Sequence, residues 1–175
     1  MGQYFKIVNV TRKQFIDISG LGENNKFGFI GQGLNGIVLG RLLASVGVAN
    51  KEWYNAYGHP QEDDLYVGAW AGDSIVVAGD NELPNTIKTE SATEHANLNL
   101  YFRTEADSAY ENITGKVLKW LAKDNETADM LAERAKNDDT LLHTLHEMVF
   151  IDSNEIIKNS LERIHGSTWK LKKIR

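Results

Sequence analysis

The stretch at 66–80, YVGAWAGDSIVVAGD, restricts what this chain can fold into more than any other. Residues 65–70 mix β-branched, aromatic and small side chains. Ala71-Gly72-Asp73-Ser74 is turn chemistry, and Ile75-Val76-Val77-Ala78 is an unbroken apolar run. That order predicts a β-hairpin, since Gly and Asp accept a tight turn while branched and aromatic side chains suit a pleated surface. A strand without polar alternation is expected where both faces are covered, which places 75–78 in the middle of a sheet. Gly79-Asp80-Asn81 then supplies a second turn, so Ala-Gly-Asp occurs twice within ten residues.

Around this hairpin the remaining elements follow from periodicity. Tyr4, Phe5, Ile7, Val8 and Val10, a polar turn at 11–14, and Phe15-Ile16-Asp17-Ile18 predict an N-terminal hairpin. A short strand is expected at 26–30, and Ile37, Val38, Leu39, Leu42, Leu43 and Val46 recur at helical spacing before Gly47. Residues 84–95 read as a surface loop, and Leu98, Leu100, Tyr101 and Phe102 as a strand. Tyr110 to Ile113 ends a strand or begins a longer helix, with Thr114 as the cap of a helix over 115–123. Two further helices are expected at 127–136 and 140–150. A third, at 154–164, would be capped by Asp152 with Glu155 and stopped by Gly166, before a last strand at 168–174. Strands first and helices later predict a single α+β domain over 1–175. Its mostly antiparallel sheet carries N-terminal and central β-hairpins and is packed by helices mainly from the C-terminal half.

Composition excludes several classes of function. At 175 residues the chain suits one domain with its own core, and 15 glycines beside only 2 prolines do not describe a disordered chain. The absence of cysteine removes disulfides, thiol nucleophiles, cysteine-ligated zinc and iron–sulfur clusters. No N-terminal apolar segment reads as a signal peptide and no stretch reaches the roughly 18 apolar residues of a membrane span, so a cytoplasmic protein is expected. A net charge of −5 argues against nucleic acid as a partner. The charge is uneven: residues 163–175 hold Arg163, Lys170, Lys172, Lys173 and Arg175, whereas 62–82 is acidic. Such a basic end suits a lysine-protected edge strand or a contact patch.

Three constellations carry candidate chemistry. Gly31-Gln32-Gly33-Leu34-Asn35-Gly36 matches G-x-G-x-x-G ahead of a helix, where free N–H groups can hold phosphate. Gly31, Gly33, Asn35 and Gly36 are therefore candidate ligand-binding residues. The same pattern also serves as a plain glycine turn, and no acid-ended strand follows about 20 residues on, as a dinucleotide site requires. Asp73 and Asp80, if the two turns bring them together, could bind a metal or ribose, although carboxylates in such turns commonly bond their own backbone. Trp53, Tyr54 and Tyr57 make an aromatic cluster in NKEWYNAYGHP, which either caps a core edge or meets a partner. His143 and His146 lie at i, i+3 but match no zinc motif, so neither a metal site nor a catalytic residue is assigned.

Two segments, MGQYFKIVNVTRKQF at 1–15 and GAWAGDSIVVAGD at 68–80, resemble an uncharacterised family of small proteins from bacteria, their phages and some eukaryotes. Members open with a Met-Gly-Gln-Tyr-Tyr stretch and carry a Trp-Ala-Gly-Asp-Arg-Ile-Val-Val segment. Here Phe5 replaces the second Tyr, and Ser74 stands where the family has Arg. The resemblance implies a microbial or viral origin and brings no activity, cofactor or catalytic residue.

These features together predict a non-enzymatic cytoplasmic protein, in keeping with a phage origin, that binds a host protein or sequesters a small anionic ligand. The alternatives are a nucleotide-binding protein or enzyme using the loop at 31–36 for phosphate, and a homo-oligomeric structural component.

Overall fold

The computed structural model describes residues 3–22, 26, 28, 30–45, 65–84, 95, 97–166 and 169. Its elements are those of an α+β protein with a mostly antiparallel sheet, as the order of apolar runs predicts. The chain divides into two compact units, Met1–Ser45 with Trp70–Gly115, and Val46–Ala69 with Lys116–Arg175.

The first unit is organised on a sheet. β1 (Phe5–Asn9) and β2 (Gln14–Asp17) form the expected N-terminal hairpin, with Ile7 opposite Ile16 and Val8 opposite Phe15. Side chains alternate between faces along a strand, and all four of these are buried, so both faces of the hairpin are covered. β3 (Ile75–Gly79) pairs antiparallel with β1, Val77 opposite Ile7, and β4 (Glu111–Asn112) pairs parallel with β2. The sheet order is β3-β1-β2-β4.

Only the second strand of the expected central hairpin forms. Residues 67–72 are turns, and Gly68 and Gly72 take φ of 88° and 86°, conformations that interrupt an extended strand. Trp70 is drawn into the core instead: it is fully buried, its N–H donates to the Leu42 carbonyl at 2.9 Å, and its Nε1 donates to Gln14 Oε1 at 3.1 Å. β3 consequently lies at the edge of the sheet and not at its centre, and Ile75, Val76 and Val77 are half-buried.

Helices cover this sheet. α1 (Gly33–Leu43) buries Leu34, Val38 and Leu42, an i, i+4, i+8 stripe. Residues 98–102, expected as a strand, instead lead into the helix α2 (Leu100–Ala106), because Asn99 Oδ1 accepts from the Phe102 N–H at 3.1 Å and caps it. Leu100 and Tyr110 pack on Val8, Phe15 and Ala78.

The second unit is helical: α3 (Thr114–Leu121), which starts at the end of the first unit, α4 (Asn125–Arg134), α5 (Asp139–Phe150) and α6 (Glu155–His165). Each of the last three carries its own cap, with Asp124, Asp138 and Asn154 accepting from the N–H groups of Thr127, Leu141 and Ile157. The cap expected at Asp152 is Asn154: Ser153 takes φ 54°, and the extended backbone that a cap requires comes only after it. Gly166, at φ 65°, ends α6 as expected. Thr114 opens α3 without capping it. Its hydroxyl accepts from the Asp17 N–H at 2.9 Å and donates to Asn112 Oδ1 at 2.6 Å, fixing β4 beside β2. The strand expected at 26–30 does not form at its described residues, since 26, 28 and 30 lie in bends and tight turns; the strand expected at 168–174 and the loop at 84–95 fall mostly outside the described residues.

Candidate functional site

The glycine-rich motif begins α1. Gly33 has φ 54°, and Asn35 is fully buried. A Cβ on Gly36 would stand 2.6 Å from the Gly31 carbonyl oxygen, so that glycine is needed for the first turn of α1 to pack against the Gly31 backbone. Its own N–H donates to the Gln32 carbonyl at 3.1 Å. Gly31 is exposed, with open space where a Cβ would point.

The two aspartates stand at opposite ends of β3, separated by about 20 Å of extended chain, so the turns do not bring them together. Asp73 Oδ2 accepts from Asn9 Nδ2 at 2.8 Å and Arg12 Nε at 2.7 Å, while the Arg12 N–H donates to Asn9 Oδ1 at 2.9 Å. Burial pushes the Asp73 carboxyl up, but the hydrogen bonds from Asn9 and Arg12 and the Arg12 charge outweigh it and hold it below the ordinary aspartate value. Asp80 Oδ1 accepts from the Tyr4 N–H at 3.0 Å, and the Asp80 N–H donates to the Tyr4 carbonyl at the same distance. Asn99 Nδ2 donates to the carbonyls of Asp80 and Glu82 at 3.0 and 2.8 Å, tying α2 to this end of β3. Trp53, Tyr54 and Tyr57 lie outside the described residues.

Between these aspartates the structure presents a feature that the hairpin expectation concealed. In an antiparallel pair, residues alternate between bonding the neighbour and pointing away. The Val10 N–H donates to the Ser74 carbonyl at 2.9 Å and the Asp80 N–H to Tyr4, so with Val8 opposite Val76 and Lys6 opposite Ala78 it is the even-numbered residues that bond to β1. The N–H and C=O groups of Ile75 and Val77 therefore point outward from the edge. Among the described residues nothing hydrogen-bonds to them; beside them the Gly79 carbonyl accepts from the Glu82 N–H at 3.2 Å. The segment at 74–79, SIVVAG, has neither charge nor proline, the usual protections of an open edge.

No family model, curated protein or solved structure matches the chain. Its function must therefore be argued from its own residues.

A buried lysine also escaped the sequence reading. Lys6 is 1 % exposed; its Nζ donates to Glu105 Oε1 at 2.5 Å and to the Tyr101 carbonyl at 3.3 Å. It stands 4.1 Å from the Tyr101 ring centroid and 5.2 Å from that of Phe15. Two aromatic faces and a carboxylate together compensate an ammonium taken out of water. The available signal was a single cation inside the run Tyr4-Phe5-Lys6-Ile7-Val8, where a strand covered on both faces leaves it no solvent to reach.

The helical unit offers less chemistry. His143 is half-buried and lies 3.6 Å from Glu147, whereas His146 is buried against Trp169 and Phe150, with ring centroids 5.3 and 6.2 Å away. Among the described residues no group of three or more His, Asp or Glu side chains could hold a metal, and no helix is long and apolar enough to cross a membrane. A cleft of about 380 Å³ is lined by Lys119, Lys123, Met148, Asp152 and Asn154, and Lys119 pairs with Asp152 at 3.0 Å within it.

Proposed function

We propose that this protein is a protein-binding module that takes up an extended segment of a polypeptide along the outer edge of β3. The open N–H and C=O groups of Ile75 and Val77 carry this reading, because an edge of this kind gains main-chain hydrogen bonds as soon as a second strand is laid beside it. Tyr4, Leu83 and Phe102 are exposed, and each belongs to a segment tied to the end of β3, through the Tyr4–Asp80 backbone bonds and the Asn99 bonds to Glu82 and Phe102. Of the two partners expected from the sequence, a polypeptide suits an edge of main-chain donors and acceptors.

Val77→Pro tests the proposal, because it removes one outward N–H while proline is tolerated at an edge position facing away from the sheet. Native mass spectrometry of the protein purified from its natural host cells should show a co-purifying polypeptide with the native chain and none with Val77→Pro, at unchanged circular dichroism. Retention of the same polypeptide by the variant, or a small molecule in its place, would overturn the proposal.

A further inference from the structure

We infer that the strand added to β3 is the β3 of a second copy of this chain, running antiparallel about a two-fold axis at Val77. This deepens the function proposed above and rests on it. The segment at 74–79 is self-complementary in the simplest sense: it holds no charge to oppose its own image and no proline to interrupt the ladder. Centred on Val77, the pairing sets Ile75 opposite Gly79 of the second copy, and it joins two four-stranded sheets into one.

Charge decides the direction. At the Ser74 end of β3 lies the turn between β1 and β2, held there by the Val10 N–H on the Ser74 carbonyl and by the Ser74 N–H on Thr11 Oγ1 at 2.9 Å. That turn carries Arg12 and Lys13; Arg12 is paired with Asp73, and the Glu111 carboxylate, on the β4 side of the turn, accepts from Gln14 Nε2. At the Gly79 end stand Asp80 and Glu82, with Asp80 bonded to the Tyr4 backbone. An antiparallel partner brings each basic turn over the other copy's acidic end, twice by symmetry, whereas a parallel partner would set like charges side by side. Burial holds the Glu82 carboxyl above the ordinary glutamate value, so a cation arriving from the second copy answers a charge that the single chain solvates poorly.

The experiment uses the full chain. Sedimentation equilibrium over a range of concentrations should show a monomer–dimer equilibrium, and hydrogen exchange should show the Ile75 and Val77 amides slowing as the dimer fills. Lys13→Glu and Glu82→Lys should each weaken the dimer about three- to tenfold, and the double variant should restore it, since reversing both charges recreates the pairing. This rescue does not depend on Val77→Pro folding. A dimer indifferent to both charge reversals would overturn the inference. So would a chain that stays monomeric with fast-exchanging Ile75 and Val77 amides, although the edge would then remain open to another protein. A monomer in which those amides exchange slowly would overturn both the inference and the proposed function.

Discussion

The two units of this protein are held together over very different distances along the chain. In the helical unit the polar side chains mostly close their own helices: Asp124, Asp138 and Asn154 each accept from an N–H three residues on. In the sheet unit the corresponding bonds join residues far apart: Asp17 to Thr114, Lys6 to Glu105, Asn9 to Asp73 and Gln14 to Trp70. Local bonds make each helix a nearly independent decision of its own sequence. Long-range bonds make the sheet a joint decision of segments that are meaningless singly.

Three measurements would break or sharpen that contrast. The largest effect is expected from Trp70→Ala, which removes a fully buried indole bonded to Gln14 and should cost about 3–5 kcal/mol in chemical denaturation. A loss below about 1 kcal/mol would mean that α1 and the hairpin do not depend on it. Next, alanine at Asp124, Asp138 or Asn154 should cost about 1 kcal/mol each, and the three should add, as independent caps do. Strong non-additivity in thermal melts would show that the helices fold as one cooperative body. The smallest effect concerns a long-range contact inside the helical unit. Burial, with the charges of His143 and His165, holds His146 below the ordinary histidine value against a backbone hydrogen bond at Trp169. The unfolded chain then binds the proton more readily, so stability is constant above the unfolded value of about 6.5 and declines as pH falls from there toward the lower folded value. His146→Phe should flatten the decline in a pH series of melting temperatures; an unchanged slope would place its origin elsewhere.

The same contrast explains what could be read from the sequence. The helices at 125–134, 139–150 and 155–165 were legible because apolar periodicity and the terminating Gly166 lie within the segments they describe, although the cap of the last was expected at Asp152 and stands at Asn154. The hairpin of β1 and β2 was legible for the same reason, through a short turn between apolar strands. The first strand of the central hairpin failed because Trp70, which looks like a strand residue, gains more from burial beside α1 than from cross-strand pairing, and glycines on either side let it turn inward. Residues 98–102 failed because a capping asparagine outweighed four apolar side chains. The candidate site followed suit. Ile75 and Val77 were recognised as strand residues, but their open edge became visible only once β1 was known to be their partner. Asp73 and Asp80 were singled out as a pair, whereas the distance between them is the length of the strand they bracket.

The parallel pairing of β2 with β4 sets a timetable for synthesis. Phe15 and Gln14 are made early, but the residues that pair beside them, Asn112 and Glu111, emerge only after nearly a hundred more have been added. At ribosomal speeds of roughly 5 to 20 residues per second, that is a delay of about 5 to 20 s. For the first part of that interval the hairpin leaves the ribosome with both flanks bare, and once β3 has followed, β2 still waits for β4. A nascent chain of this protein therefore presents sticky strand edges to the cell well before it can close them, and its yield in vivo should depend on what shields those edges while the ribosome is still at work.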